Sequence, residues 1–311
     1  MDQVSKSLKP IHKWKIWIQA FRLRTLPLAF ACIGMGGFLA AYQHKFEWDI
    51  FLLTLLTTLF LQILSNLAND YGDAMHGVDS LEREGPSRTV QSGKISSVAM
   101  KRALYVFSFI SFSTGVLLLF TAFGYNIKVL LLFLSLGLLS ILAAIAYTVG
   151  KKPYGYAGLG DISVFIFFGL VGVLGAMYLF TLELNFYYIW PALSCGFFSM
   201  AVLNVNNIRD IESDRKAGKR SIPVRIGRKR AVYYHWVLLF SGMTSAVVFM
   251  LQLEPGWHKW LFLISFPFLI YNGYNIFRHQ SAAKLDPYLK QMAISTLIFV
   301  ITFGVGLMFA D

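Results

Sequence analysis

The chain alternates long apolar runs with short polar segments over most of its length. Because the hydrocarbon core of a bilayer is about 30 Å thick, a helix needs roughly 20 apolar residues to cross it. Nine runs are close to this length, so the pattern predicts an all-α multi-pass membrane protein with about nine transmembrane helices. Their approximate bounds are 25–42, 50–69, 103–123, 127–149, 160–181, 187–206, 232–252, 259–277 and 290–309.

The segment before the first apolar run, residues 1–24, is basic and amphipathic. Its Trp14, Trp17 and Phe21 are typical of a helix that lies in the membrane interface. We expect no cleavable signal peptide in this segment. The pattern therefore predicts that residues 1–311 form one transmembrane domain, which begins with this interfacial segment.

The composition supports a membrane protein. Of the 311 residues, 56% are hydrophobic and 14% are charged, whereas about 25% of the residues in a soluble domain are charged. This excludes a disordered chain and argues strongly against a soluble globular one. Cys32 and Cys195 are too few for a disulfide framework or a thiolate metal site. Because both lie inside apolar runs, we expect them to be small core residues.

Charge is distributed very unevenly between the connections. Nine spans would place 25 of the 28 Lys and Arg residues on the side of the N-terminus, and Lys45, Lys128 and Lys259 on the other. Since positive loops stay in the cytoplasm, the N-terminus and the loops 73–98 and 210–231 are predicted to be cytoplasmic. The net charge of +12 then reflects membrane topology, and we expect no nucleic-acid partner.

Half of the 16 acidic residues lie in two short stretches on this side, residues 70–84 and 210–214. The first stretch follows the second apolar run, and the other follows the sixth. Each motif has an Asn followed four residues later by an Asp, beginning at Asn69 and at Asn206. The repetition suggests a weak internal duplication in which spans 1–4 and 5–8 are counterparts.

If the apolar helices continue into these stretches, the polar residues of each fall on one helical face, because they are three or four residues apart. Two acidic faces in one bundle would form a negative cavity in which carboxylates repel one another. A divalent cation would compensate this charge, and oxygen ligands without His or Cys suit Mg²⁺. The four residues expected to be catalytic are Asp70, Asp73, Asp210 and Asp214. The candidate metal ligands are Asn66, Asn69, Asp70, Asp73, Asp79, Asn206, Asp210 and Asp214.

Basic residues are interspersed with these acids. Most of them are explained by topology, and Glu82, Glu84 and Glu212 are interpreted as solvated loop acids. Cations beside a metal–carboxylate site are what a diphosphate requires, because its outer oxygens bind Lys and Arg. The candidate diphosphate-binding residues are Arg22, Arg88, Lys219 and Arg225.

The turn between spans 4 and 5, residues 147–161, is rich in glycine and tyrosine. Glycines permit close backbone approach, and tyrosines provide aromatic faces with polar tips. Asp161 opens span 5, so it is either a site residue or the N-cap of that helix. The candidates for an acceptor or prenyl pocket are Tyr147, Lys151, Tyr154, Tyr156 and Asp161.

The motifs resemble the UbiA superfamily of intramembrane prenyltransferases. They are Asn69-Asp70-Tyr71-Gly72-Asp73 with Asp79, and Asn206, Asp210 and Asp214 at four-residue spacing. Within the superfamily, further segments resemble the branch that acts on 1,4-dihydroxy-2-naphthoate. These are 26–30, 62–73, 147–161 and 201–210, and the resemblance covers about residues 20–230. The chain departs from the commoner pattern at Gly77, where relatives have a third Asp, and at Asn206, where many have Asp.

The resemblance implies nine transmembrane helices around a central cavity that opens to the cytoplasmic side and to lipid. It implies that the Asp-rich motifs hold Mg²⁺ and the diphosphate of a polyprenyl diphosphate. The implied reaction joins the polyprenyl chain to 1,4-dihydroxy-2-naphthoate with loss of CO₂ and diphosphate, which gives demethylmenaquinone in menaquinone biosynthesis. The implied location is the plasma (inner) membrane of a bacterium, where membrane lipid surrounds the protein.

Other functions fit the sequence less well. A prenyltransferase of the same superfamily could act on another acceptor, such as 4-hydroxybenzoate or homogentisate. A secondary transporter also uses intramembrane carboxylates, but its sites lie near the bilayer midplane, whereas these acids lie at span ends among cations. A non-catalytic scaffold would not need two matched acidic clusters. The sequence does not determine the donor chain length, the oligomeric state or the role of Asp79.

Overall fold

The computed structural model describes residues 13–76 and 88–309. Within these ranges, nine helical stretches are long and apolar enough to cross a membrane, which confirms the number of spans predicted from the sequence. The helices are α1 Lys13–Phe21, α2 Leu26–Tyr42, α3 Trp48–Met75, α4 Ser97–Phe123, α5 Ile127–Ala146, α6 Gly160–Thr181, α7 Ile189–Arg209, α8 Ile211–Lys216, α9 Ile222–Leu251, α10 Phe266–Arg278 and α11 Ala282–Met308.

Helix α1 is separated from α2 by a short turn, and the interfacial position of this segment stays a prediction. The turn contains Arg22 in a left-handed conformation with φ 52° and the 3₁₀ turn Leu23–Thr25. Residues 1–12, which complete the predicted interfacial segment, lie outside the described residues. Trp17 and Phe21 pack on α3 and α4, while Trp14 is exposed.

Several spans extend beyond their apolar runs at the polar end. Helix α3 continues to Met75 rather than residue 69, and α9 begins at Ile222 rather than residue 232, with a kink at Gly227, whose φ of 78° is not helical. The apolar run marks only the section that would cross hydrocarbon, whereas helical hydrogen bonding continues until a cap or turn ends it. At α4, for example, the Ser96 side chain accepts a hydrogen bond from the backbone N–H of Ala99 and fixes the start.

The helices pack into two groups around separate apolar cores. The larger core joins α2, α6, α7, α9, α10 and α11, and its largest fully buried side chains include Phe198, Phe249, Phe299 and Phe303. The smaller cores lie mainly among α3, α4 and α5. Cys32 and Cys195 are both buried, as the sequence predicted. This arrangement leaves space between the two groups.

Helix α6 is unusual because its middle section, Phe165–Gly175, is π-helical. Such segments are wider than an α-helix and are frequent at functional sites. Several of its residues, among them Phe167, Leu170 and Gly172, line the space between the two groups of helices. The altered section therefore shapes a cavity inside the bundle.

Candidate active site

The two acidic stretches meet at one end of the bundle. Helices α3 and α7 end there, α6 begins there, and the segments 147–159 and 217–221 connect the neighbouring helices. Together they enclose a polar cavity of about 90 Å³. Its lining includes Arg22, Asn69, Asp73, Arg88, Tyr147, Tyr156, Asp161, Asn206, Asp210, Asp214 and Lys219.

Asp73 is the most heavily contacted acid of the first stretch. Its side chain is only 1% exposed and forms an ion pair with Arg88. The Tyr156 hydroxyl donates to Asp73 Oδ1 at 2.5 Å, and Lys219 Nζ lies 3.2 Å from the same oxygen. Two cations and a hydroxyl donor therefore meet at this one buried carboxylate.

Lys219 connects the two acidic stretches. Its ammonium lies 3.4 Å from Asp214 Oδ1, as well as next to Asp73, and 4.8 Å from the centre of the Tyr156 ring. The backbone N–H of Lys219 donates to the Asp214 carbonyl, which closes the turn after α8. Burial raises the pKa of the Asp214 carboxyl to about 6, although the Lys219 ammonium opposes this change.

Asp210 is held by the residue that precedes it. The Arg209 guanidinium donates to both Asp210 oxygens at 2.8 Å and to Asn206 Oδ1 at 2.8 Å. Its remaining arm contacts Asp286 of α11. Sequence reasoning missed Arg209 and Asp286, because Arg209 was explained by topology and Asp286 lies far along the chain. The position of an Arg beside the motif Asp, at the end of an apolar helix, was the available signal.

The predicted continuous helical face of the second stretch is interrupted. Helix α7 ends at Arg209 and Asp210 adopts φ −94° and ψ 14° before α8 begins. The N–H of Asp210 still bonds to the Asn206 carbonyl, and the N–H of Asp214 bonds to the Asp210 carbonyl. The spacing thus survives across a bend, so both acids still line the polar cavity.

Asp70 does not line the polar cavity. Its Oδ2 accepts hydrogen bonds from the backbone N–H of Thr89 at 3.0 Å and from the Thr89 hydroxyl at 2.5 Å. Its Oδ1 is buried and has no hydrogen-bond partner among the described residues. Thr89 was not predicted from the sequence, since it lies 19 residues from Asp70 along the chain.

Besides Tyr154, which lines the apolar cavity described below, four other predicted residues do not line the polar cavity or lie outside the described residues. Asn66 donates to the Phe21 carbonyl at 2.9 Å, so it fixes the turn that carries Arg22. Arg225 donates to the Ala157 carbonyl at 2.6 Å, and Lys151 is exposed. Asp79 lies outside the described residues.

The 147–161 segment forms one wall of the site. Burial raises the pKa of Tyr147 above its ordinary value. The Tyr154 hydroxyl donates to the Ala143 carbonyl at 2.9 Å. Asp161 is not an N-cap, because Leu159 occupies that position. Instead, Asp161 is buried in the first turn of α6 and accepts a hydrogen bond from the Tyr234 hydroxyl at 3.1 Å.

A second, apolar cavity of about 740 Å³ lies between α2, α3, α4, α5 and α6. Tyr154 lines this cavity. Asn69, Tyr147 and Leu203 line both cavities, so the polar and apolar spaces meet at these residues. The combined site suits a molecule with an anionic head and a long apolar tail.

The oxygen atoms that line the polar cavity fit a hard divalent cation. The structure changes one premise of that prediction, which assumed carboxylates without compensating charge. Among the described residues, no group of three or more His, Cys, Asp or Glu side chains is placed where it could hold a metal ion. Arg88, Lys219 and Arg209 already compensate the carboxylates. The cavity nevertheless gathers carboxylate and amide oxygens, which are the donors that suit Mg²⁺.

Comparison with known proteins places this geometry in a family. Two similar proteins are the 1,4-dihydroxy-2-naphthoate octaprenyltransferases of Haemophilus influenzae and Escherichia coli. Each is 43% identical over 298 residues, and the alignments cover 95% and 96% of this chain and 96% of each relative. The enzyme of that name from Mycobacterium tuberculosis is 32% identical over 95% of this chain and 97% of its own length.

Solved structures share the fold at lower identity. A UbiA homolog from Aeropyrum pernix K1 has a TM-score of 0.66 and 16% identity, with 89% of this chain and 96% of that chain covered. A UbiA homolog from Archaeoglobus fulgidus bound to DMAPP and Mg²⁺ has a TM-score of 0.60 and 18% identity, covering 93% of this chain and 99% of that chain.

The family match also corrects the extent of the sequence resemblance. The model of the UbiA prenyltransferase family matches residues 28–309, so the similarity continues well beyond residue 230, through α9, α10 and α11. Beyond residue 232, only the hydropathy of the sequence had agreed with the family. The chain belongs to the UbiA prenyltransferase family.

Proposed function

We propose that this protein transfers a polyprenyl group from a polyprenyl diphosphate to 1,4-dihydroxy-2-naphthoate, with release of CO₂ and diphosphate. The observation that carries this proposal is the junction of a charged polar cavity with an apolar cavity of about 740 Å³. A prenyl diphosphate has a head and a tail that match these two spaces. The acceptor follows from the relatives at 43% identity, whose name makes octaprenyl diphosphate the first donor to test.

Mg²⁺ is the cofactor that we propose for the polar cavity. The lining oxygens that would hold it belong to Asn69, Asp73, Asn206, Asp210 and Asp214. When bound, it would act as a Lewis acid that stabilises the charge of the leaving diphosphate. The UbiA homolog bound to DMAPP and Mg²⁺ supports this choice. The catalytic role of Asp70 and the metal-ligand roles of Asn66, Asp70 and Asp79 stay predictions.

The cations of the cavity have a direct role in this reaction. Arg88 and Lys219, which pair with Asp73, share the negative charge of the diphosphate as its bond to the prenyl carbon breaks. Tyr147 lies where the polar and apolar cavities meet. Its aromatic face can stabilise the allylic cation by about 0.5–2 kcal/mol, and Tyr156 contributes a second face beside Lys219.

The acceptor would occupy the part of the polar cavity that Arg22 and Asp161, which both line it, can reach. A new C–C bond forms between the prenyl chain and the ring carbon that carries the carboxylate, and that carboxylate leaves as CO₂. Arg22 lines the cavity and can hold the carboxylate beforehand, whereas Lys151 is exposed and does not line it. Asp161, fixed by Tyr234, can accept a hydrogen bond from an acceptor hydroxyl.

We further propose that the polar cavity opens to the cytoplasm of a bacterium whose plasma membrane surrounds the single domain of residues 1–311. The protein is a multi-pass membrane protein. Of the 28 Lys and Arg residues, 25 fall in segments that nine spans would place on the side of the N-terminus. Helices α3 and α7 end on that predicted side, at the polar cavity, which supports this orientation. Exposed aromatic residues such as Phe109 would contact membrane lipid.

The proposed reaction is tested with purified protein in detergent, Mg²⁺, octaprenyl diphosphate and 1,4-dihydroxy-2-naphthoate, with products identified by mass spectrometry. We expect a prenylated, decarboxylated 1,4-naphthalenediol, or the quinone formed from it by oxidation in air, that disappears when Mg²⁺ is chelated and returns when it is restored. Prenylation of 4-hydroxybenzoate or homogentisate without any naphthoate product would contradict the acceptor. Absence of transfer to all three would contradict the prenyltransferase proposal.

Lys219 is expected to contribute mainly to donor binding. Replacing Lys219 with Met removes the ammonium between Asp73 and Asp214, and a lost charge-assisted hydrogen bond costs about 1.5–3 kcal/mol. KM for the donor should rise roughly 10- to 100-fold. Initial rates at varied donor concentration give this value. Lys216→Met, which removes an exposed charge from the same turn, is the matched control, and an equal change in both variants would contradict a specific role.

Donor length should depend on the volume of the apolar cavity. Gly115 of α4 lines it, and a side chain added there would have Thr57 as its nearest neighbour, at 3.7 Å. Gly115→Leu should therefore fill tail space and lower kcat/KM for an eight-unit donor about 10-fold relative to a two-unit donor. Competition between the two donors measures the ratio. Equal losses for both donors would show that Gly115 does not restrict tail length.

A further inference from the structure

An alternating chain of charges runs from the start of α2 through α11 to the second acidic motif. Arg24 donates to both oxygens of Asp286 at 3.1 Å. Asp286 Oδ1 accepts a hydrogen bond from Arg209 at 2.6 Å, and Arg209 holds both oxygens of Asp210. Three helices that are distant in sequence are therefore joined to one acid of the polar cavity.

These contacts constrain the orientation of the Arg209 side chain. Its side chain is 1% exposed, and Asp210 is 4% exposed. The Nε and Nη2 atoms face Asp210 and Asn206, while Nη1 faces Asp286. Because the guanidinium is planar and its donors have a fixed geometry, a partner on the Nη1 side determines the angle at which the other side meets Asp210.

Asp286 also determines the local charge. A lone Arg209 would neutralise Asp210 and make it a poor partner for a divalent cation. Asp286 is itself paired with Arg24, so the four residues are neutral overall, but Asp286 takes part of the positive charge of Arg209 and leaves Asp210 more attraction for a cation. Arg24 lies on the outer side of Asp286, at the end of the chain of charges that is farther from Asp210.

We propose that Asp286, acting through Arg209, is a positioning residue that orients Asp210 and maintains its negative potential for a divalent cation and diphosphate. The inference rests on the proposed function, because it assigns Asp210 to the cation–diphosphate site. Partners one step removed from a metal ligand typically change metal affinity 10- to 100-fold when they are replaced. Asp286 lies 77 residues from Arg209 along the chain, outside both Asp-rich motifs.

Asp286→Asn tests this role, because it removes the charge and keeps the size of the side chain. The Mg²⁺ concentration for half-maximal turnover should rise about 10-fold. The increase in thermal unfolding temperature caused by Mg²⁺ with inorganic diphosphate should shrink, which is a binding readout that needs neither the acceptor nor turnover. Asp286→Glu should restore part of both values.

Arg24→Gln is the matched control, since it removes the other partner of Asp286 and leaves the contact with Arg209. It should leave the Mg²⁺ requirement close to that of the unchanged protein. If Asp286→Asn does not fold, Arg209→Lys tests the same proposal, because it keeps the charge and loses the two-point contact; a raised Mg²⁺ requirement is again expected.

A purely structural role for Asp286 gives a different result. The variant would then unfold at a lower temperature while its Mg²⁺ requirement and its stabilisation by Mg²⁺ with diphosphate stayed unchanged, which would overturn the proposal. Failure of the proposed function is distinguishable, because it would appear as absence of naphthoate prenylation by the unchanged protein, whatever the behaviour of Asp286→Asn.

Discussion

Replacing Asp73 with Ala should abolish prenyl transfer while the helical bundle remains folded. Asp73 is buried beside Arg88, Tyr156 and Lys219, and it is the acid of the first motif that lines the polar cavity. Its loss removes a proposed metal ligand and leaves two cations without their shared carboxylate. Turnover should fall by at least about 10²–10³-fold, measured as product formed under saturating substrates.

Folding is checked separately by gel filtration and thermal unfolding in detergent. Asp73→Asn provides a second test, because it keeps a similar shape and an acceptor for the Tyr156 hydroxyl while it removes the charge. Glu212→Gln is the matched control, since this acid of the second motif region is 71% exposed and pairs with Arg215 at the surface. Near-normal activity in both Asp73 variants would refute the assignment of Asp73 to catalysis.

Replacing Gly72 with Ala should damage both stability and activity. A Cβ at Gly72 would lie 2.4 Å from the Thr148 carbonyl oxygen, where α3 passes directly against the segment that follows α5. The Thr148 hydroxyl also donates to the Ala68 carbonyl at 2.9 Å. Overpacking of this kind costs about 1–3 kcal/mol. Because Asp73 is the next residue, separation of these backbones should also reduce turnover more than about 10-fold.

Thermal unfolding and initial rates of the purified variant measure these two effects. Gly34→Ala is the control, since a Cβ there would have its nearest neighbour, Val300, at an ordinary contact distance of 3.5 Å. It should unfold close to the unchanged protein. If Gly72→Ala also matches the unchanged protein in stability and rate, the close approach of α3 to Thr148 is not essential to the site.

The number of spans was predictable because it depends on the local sequence. A bilayer requires a minimum apolar length for each helix and internal hydrogen bonding of its backbone, and both conditions can be evaluated without tertiary contacts. The ends of α3 and α9 were less predictable. Polar residues continue these helices beyond the apolar runs. Where each helix begins or ends depends on caps and on contacts with other segments.

The site was predicted in outline for a related reason. Helical spacing placed Asn69 and Asp73 on one face, and the repeat of the motif near Asn206 suggested that a second acidic face would meet the first. The structure brings Asp73 and Asp214 to opposite sides of Lys219. The metal and catalytic roles of these residues stay predictions, although the family is established.

Three assignments were not available from periodicity. In the sequence, Arg225 and Lys151 could not be distinguished from Lys219 as cations near the motifs. In the structure, Arg225 donates to the Ala157 carbonyl and Lys151 is exposed. Thr89 was overlooked as the partner of Asp70. Which cation or hydroxyl contacts a given acid depends on how separate helices and turns pack together, and spacing along one helix carries no information about that packing.

The sequence by itself determined the membrane class, the nine spans and the two acidic motifs, because apolar length and helical spacing are properties of contiguous residues. Only the tertiary structure decided that Asp286 reaches Arg209, that Thr89 reaches Asp70, and that a polar cavity joins an apolar one at Tyr147. These contacts join residues from different helices, and their distances are set by how the helices pack, which local propensity does not encode.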